Sequence, residues 1–195
     1  SPAVRRGPYS VWGLVCVPLS AHNPRLIMVH ISGFGQTGPY RDKPGFGVIG
    51  EAMGGLRYLT GQPGEPSMRV GVSIGDSLSA LYAVIGTLLA LQERNHSGKG
   101  QEIDVALYES VFAMMESLLP EFDASGQVRQ PSGSALPGIT PSNAYRCLGG
   151  DYVLIAGNGD SIFKRLMVAI GREDLANDES LAHNAVRSEQ TEMID

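Results

Sequence analysis

The sequence is poor in cysteine. Two occur among 195 residues, Cys16 and Cys147, far apart and in apolar surroundings. Neither belongs to a CxxC pair or stands near a Cys/His cluster, so no metal site is expected. Two buried thiols in a reducing compartment is the reading that follows, with a disulfide between them as the weaker alternative. Basic clusters are scarce as well: the Arg5-Arg6 pair is short and the formal net charge is −5. That balance argues against nucleic acid and against anionic membrane surfaces as partners. Long apolar runs are missing. The most apolar stretch, residues 77–91, is short for a membrane span and has Asp76 at its edge, which predicts a buried helix. The opening SPAVRRGPYSVWG has no apolar core behind a charged head, so it does not read as a secretory leader, and a cytoplasmic location is expected. HExxH, a Ser-His-Asp pattern and paired cysteine ligands are absent. His22, His30, His96 and His183 are scattered without ligand spacing and read as structural or exposed.

What is present suits a folded, globular chain. Hydrophobic residues make up 43% and charged residues 18%, enough apolar material for a core. Residues 26–32 (LIMVHIS) form a β-branched run without strict alternation, which predicts a strand covered on both faces. A Gly- and Pro-rich loop follows over 33–47, long enough to suggest a functional role. A helix is expected over 48–58, with Gly54-Gly55 near its end, and a turn-rich segment over 60–67. The clearest helix is 76–94, where Leu78, Leu81, Tyr82, Ile85, Leu88 and Leu89 repeat at three- and four-residue spacing, capped by Asp76 or Ser77. The glycines of HSGKG end it. Residues 101–106 read as a strand and 107–122 as a further helix. Residues 123–140 are polar and rich in Gly, Ser and Pro, as a linker or active-site loop would be. Beyond them come two strands around Leu-Gly-Gly, a helix over 160–170 capped by Asp160 or Ser161, and short helices over 172–195. The fold class is α/β: a large domain over 1–122, the 123–140 linker, and a small α+β module over 141–195.

Three segments carry chemistry. Asp76, at the head of an apolar helix, serves as a cap. A carboxylate there also lies in the favourable field of the helix N-terminus and can attack an activated carbonyl to form an acyl intermediate. The two roles are compatible. Gly33-Phe-Gly-Gln-Thr-Gly-Pro39 after a strand invites a phosphate-cradle reading, yet it lacks the Lys-Ser/Thr of a P-loop; a tight loop that lets backbones pass closely is the alternative. Gly157-Asn-Gly-Asp160 between strand and helix either admits a ligand to the backbone, supplying oxyanion donors, or is a plain Asn-Gly turn.

Taken together, Trp12-Gly-Leu14, Asn23-Pro-Arg-Leu-Ile27, Ser32-Gly-Phe-Gly-Gln-Thr-Gly-Pro-Tyr40, Gly98-Lys-Gly-Gln101 and Asp104-Val-Ala-Leu-Tyr-Glu109 resemble the class III CoA-transferases, the family of formyl-CoA transferase, carnitine CoA-transferase and α-methylacyl-CoA racemase. The resemblance runs through nearly the whole chain. It implies part of a Rossmann-like large domain and part of a small domain, in an interlocked homodimer. It implies an acyl-CoA and a carboxylic acid as small-molecule substrates, with coenzyme A as the group moved. It implies that Asp76, within Gly71-Val-Ser-Ile-Gly-Asp76, is the nucleophile. Candidate binding positions for CoA or substrate are Gly35, Gln36, Gly38, Phe46, Gly133, Pro137, Gly157 and Gly159. It further implies an internal piece of a longer chain, lacking an N-terminal βα region and a C-terminal return.

The sequence departs from the family pattern in two places. Where the racemase branch carries a histidine, this chain has Phe46, which cannot exchange a proton, so racemase-like isomerisation is the disfavoured alternative. Where many members carry an acidic residue, this chain has Gly47; Glu51, one helical turn on, is the acid that would stand in. The long glycine-run loop of the formyl-CoA enzyme is also absent, with residues 133–141 expected in related space. A third alternative is a truncated fragment that binds CoA without turnover. Arg57 or Arg69 would suit a substrate carboxylate, with an ordinary surface role as the alternative for each.

Overall fold

A computed structural model describes residues 16–195. The Arg5-Arg6 pair, the Trp12-Gly-Leu14 motif and the segment read for a leader lie outside the described residues. The chain divides into two compact units: residues up to Thr60 with Pro66–Gln130, and Gly61–Glu65 with Pro131–Asp195.

In the first unit, α1 (Cys16–His22) precedes β1 (Met28–Ser32), which pairs in parallel with β2 (Glu102–Ala106), Met28 opposite Glu102 through Ser32 opposite Ala106. The connection between them holds α2 (Gly47–Met53), α3 (Leu56–Leu59) and α4 (Ile74–Ser97). The expected 48–58 helix is thus two helices. Gly55, at φ 95°, takes a left-handed conformation that turns the chain between them.

The long helix starts earlier than its apolar repeat suggests. Ser77 already donates to the Ser73 carbonyl, so Ser73 is the N-cap and Asp76 is the third helical residue, correcting the expectation that Asp76 or Ser77 caps it. At 24 residues it is also longer than expected, long and apolar enough to cross a membrane by length and composition. Its packed face, however, is built of small residues: Gly75, Ser79, Ala83 and Ala90 are buried, and a Cβ on Gly86 would press on Ile103 of β2. The large residues of the repeat, Leu81, Ile85, Leu88 and Leu89, are exposed among the described residues, so the buried-helix expectation holds for the small face alone. Small side chains let β2 come close; the bulkier stripe points the other way. Gly98, at φ 74°, ends the helix with its N–H on the Arg94 carbonyl. Gly100 then donates to the Pro24 carbonyl, so close to Leu26 that no Cβ would fit.

The expected 107–122 helix is broken as well. α5 (Leu107–Phe112) and α6 (Leu118–Ser125) are separated by a turn in which Glu116 stands at φ 51°. α2 rests on α5 through glycines. A Cβ on Gly50 would meet Leu107, and one on Gly54 would meet Val111 at 2.6 Å.

In the second unit, β3 (Ser142–Arg146) and β4 (Tyr152–Ala156) form the expected antiparallel pair. They are followed by α7 (Asp160–Ala169), α8 (Glu173–Ala176), a 3₁₀ turn (Glu179–Leu181), α9 (Asn184–Glu189) and α10 (Thr191–Ile194). Gly159 is the N-cap of α7, in place of Asp160 or Ser161, because Asp160 is already helical and its carboxylate accepts from the Asn184 amide at the start of α9. Phe163, Met167, Leu175, Ala176 and Leu181 form the core. Arg187 is fully buried within this unit. Its guanidinium donates to the carbonyls of Thr140, Asn158, Leu181 and Ala182 and to the Asp160 carboxylate, and it lies 4.6 Å from the Phe163 ring centroid. Both cysteines are free thiols. Cys147 is exposed at the β3–β4 turn and Cys16 is half-buried, which corrects the expectation of two buried thiols.

Candidate active site

The loop after β1 is closed at its neck by two glycines. A Cβ on Gly33 would lie 2.5 Å from the Gly45 Cα, so the two backbones pass at a distance only glycine permits. Phe34 anchors the loop from inside. It is buried, meets the Tyr40 ring edge-on at 5.4 Å and lies 6.0 Å from the Tyr108 ring. Asp104 of β2 holds the apex: its Oδ2 accepts from the Gln36 amide at 2.6 Å. Gly35, at φ 79°, would bring a Cβ to 3.1 Å from the same oxygen. Gly35 is buried, Gln36 half-buried, and Gly38 (φ 82°) is exposed with open space beside it. The Gln36 amide is therefore already engaged by a carboxylate.

The neck delivers the chain to Phe46 and Gly47, where α2 begins. Phe46 is the N-cap and is 72% exposed. Gly47 is buried against α4: a Cβ there would lie 2.5 Å from Asp76 Oδ2, and one on Gly75 would lie 3.1 Å from the Gly47 carbonyl oxygen. The starts of α2 and α4 thus meet at the Asp76 carboxylate. Asp76 is exposed and sits in the first turn of α4, where backbone amides lack carbonyl partners a turn earlier. The arrangement leaves an accessible carboxylate, seated on glycine backbone in the first turn of α4 and against the start of α2. It can present a nucleophilic oxygen to a carbonyl carbon and has donors at hand for the resulting oxyanion.

One turn further along α2 stands Glu51. Sequence reasoning considered it as a stand-in acid; the structure buries it completely, facing Arg57 at 3.5 Å and Arg69 at 3.8 Å. No local signal distinguishes this buried glutamate from a surface one, because its partners come from α3 and the stretch before α4. A separate cavity of about 310 Å³, between Tyr82 of α4, β2 and Ser110 of α5, does not include Asp76.

The remaining candidates belong to the second unit. Gly133, at φ 64°, donates to the Gly61 carbonyl and packs on the Gln62 side chain. Pro137 is exposed. Gly157 is buried, donates to the Pro141 carbonyl, and has Leu166 where a side chain would go. Gly159 opens α7 against Ile162. Among the described residues no group of three or more His, Cys, Asp or Glu could hold a metal ion.

Residues 3–195 match CoA-transferase family III, and the chain belongs to that family. It is 49% identical over 98% of its length to the succinyl-CoA–D-citramalate CoA-transferase of Chloroflexus aurantiacus, covering 48% of that protein. It is 42% identical over 94% of its length to the beta subunit of the succinyl-CoA–L-malate CoA-transferase of the same organism, covering 46% of it. Among solved structures, a CAIB/BAIF family protein from Brucella suis superimposes with a TM-score of 0.77 at 35% identity, over 96% of this chain and 50% of that one. The chain spans about half the length of the curated relatives it matches.

Proposed function

We propose that the protein moves coenzyme A from an acyl-CoA thioester to a free carboxylic acid, with Asp76 as the nucleophile. The observation that carries this reading is the exposed Asp76 carboxylate in the first turn of α4, seated against Gly47. In the proposed cycle, an Asp76 oxygen attacks the thioester carbonyl, the C–S bond breaks, and CoA leaves as thiolate from a mixed anhydride. The thiolate attacks the Asp76 carbonyl, giving an aspartyl-CoA thioester and releasing the first acid as carboxylate. The second acid attacks that thioester, forming a new anhydride and freeing CoA thiolate again. The thiolate then takes the new acyl group and leaves Asp76 as it began. No proton is consumed overall. Each tetrahedral step gathers charge on one oxygen, and the amides that open α2, which have no carbonyls a turn before them, are the donors we assign to it.

The relatives' names pair succinyl-CoA with D-citramalate and with L-malate, which supports a dicarboxylic acid on at least one side of the exchange. An interlocked homodimer is the assembly we propose for the full-length protein. Isomerisation of the racemase type is disfavoured by Phe46, whose side chain has no exchangeable proton to offer.

The test is intact mass spectrometry of the full-length protein after incubation with a panel of acyl-CoA thioesters, with Asp76→Ala as control. A CoA-sized adduct on the peptide containing Asp76, absent from the variant, is the expected result. CoA binding without an adduct from any donor would sink the reading.

A further inference from the structure

The Glu51 cluster is not needed by the proposed chemistry, and its charges do not balance. Both Glu51 oxygens are buried and make no hydrogen bond among the described residues, and the buried Arg57 Nε makes none either. The ion-pair separations, 3.5 Å to Arg57 Nη2 and 3.8 Å to Arg69 Nε, are longer than hydrogen bonds. One carboxylate therefore holds two guanidinium groups by charge alone, leaving one positive charge in excess and most N–H donors uncommitted. A guanidinium presents paired donors shaped for a carboxylate. The cluster is closed at its base and open at its edge: Arg57 is 24% exposed and Arg69 53%.

Its position links it to Asp76 twice. Glu51 and Gly47 are one turn apart on α2, about 5–6 Å along the helix axis, and Gly47 lies against the Asp76 carboxylate. Arg69 stands in the stretch that runs directly into α4 and Asp76. A ligand with one carboxyl group at Asp76 and a second within a helical turn of it would set the second beside the surplus positive charge.

We propose that Arg57 and Arg69, seated on buried Glu51, form the subsite for the far carboxylate of a dicarboxylic substrate, so that they select diacids over monoacids. The proposal rests on the CoA-transfer reading and adds the residues that set its specificity. Glu51 acts as a positioning residue. It holds both guanidinium groups in place and, with no hydrogen bond to either, leaves their donors for the ligand.

The experiment uses the full-length protein, succinate as the diacid probe and butyrate as the monoacid of equal length. Two readouts are taken: calorimetric binding of each free acid, and kcat/KM for each as CoA acceptor. The wild type is expected to prefer succinate, and Arg69→Gln to reduce that preference on the order of tenfold to a hundredfold, mostly through KM, with Arg69→Lys recovering part of it. Arg69 is exposed at its tip, so the variants should fold; circular dichroism of each checks this. Equal losses for succinate and butyrate would make the cluster structural and overturn the proposal. So would a wild type that binds the two acids alike. Aspartyl-CoA formation from the whole panel of acyl-CoA thioesters, succinyl-CoA included, followed in the same samples, separates the two ideas. Its absence in the wild type overturns the transfer mechanism, whereas its presence with an unchanged acid preference in Arg69→Gln overturns the subsite alone.

Discussion

Gly47 and the carboxylate of Asp76 occupy adjoining space, so that a single Cβ at position 47 would stand 2.5 Å from Oδ2. The helix that carries Gly47 and the helix that carries Asp76 therefore meet at this point, and the side chain able to yield is the aspartate. Gly47→Ala is expected to rotate the carboxylate away. Because the atom displaced is the end of a side chain, unfolding free energy should change by about 1 kcal/mol or less, and the alanine should partly compensate by restricting the unfolded chain. The rate of aspartyl-CoA formation should fall about tenfold, the effect of a small misplacement of the attacking atom. Rapid-quench mass spectrometry beside a urea melt would separate the two effects.

The loop apex depends on Asp104. Gly35→Ala would place a side chain at φ 79° and push it toward Asp104 Oδ2, for an expected cost of about 1–2 kcal/mol. Asp104→Ala would release the Gln36 amide. Hydrogen exchange should then show faster exchange through residues 33–46 in both variants, with α7 unaffected.

In the second unit, Arg187→Met would leave the carbonyls of Thr140, Asn158, Leu181 and Ala182 without this donor and strip Asp160 of its buried partner. A loss of about 3 kcal/mol or more is expected in urea denaturation, since each buried carbonyl left without its donor costs about 1–3 kcal/mol.

The same network sets an acid limit. Hydrogen bonds from His183 and then from Arg187 hold the Asp160 carboxyl below its ordinary value of 3.8. A depressed folded-state value means that stability is present above the unfolded value and is lost as pH falls through the folded one. Acid unfolding should therefore draw on Asp160 only below about pH 4, and Asp160→Asn should flatten that part of the stability profile in an acid titration followed by circular dichroism.

Phe46 yields a prediction about the reaction not catalysed. Incubation of the full-length protein with a 2-methylacyl-CoA in D₂O should incorporate no deuterium at the α-carbon. Incorporation above the rate of an Asp76→Ala control, measured by mass spectrometry, would reinstate the isomerase reading.

Much of this layout could be read from the residues. β1, β2, α4 and α7 follow from apolar period and bounding glycines, and the HSGKG segment announces the end of α4. The break between α5 and α6 is not announced. Val111, Met114, Met115 and Leu118 continue a helical spacing across it, and the residue at positive φ is a glutamate rather than a glycine. The packed face of α4 is hidden from the sequence for a related reason. Period alone shows a large apolar face, while close approach to β2 selects the face made of Gly, Ser and Ala. Arg187 and Glu51 were the least legible. A charged residue enters a core only when distant carbonyls or counter-charges receive it, and those partners arise from segments whose meeting no local pattern records.

The parallel pairing of β1 with β2 also bears on how quickly the site can form. Residue 28 must find residue 102, and α2, α3 and α4 lie in the loop that this pairing closes. Loop closure is an entropic cost met before non-local contacts return anything, and it slows proteins whose contacts are distant in sequence. α4 can become helical locally, but Asp104 cannot reach the Gln36 amide until the two strands are in register. The loop apex is consequently a late-assembling part of the molecule. Substitutions confined to it should act mainly on the unfolding rate and leave the folding rate nearly unchanged.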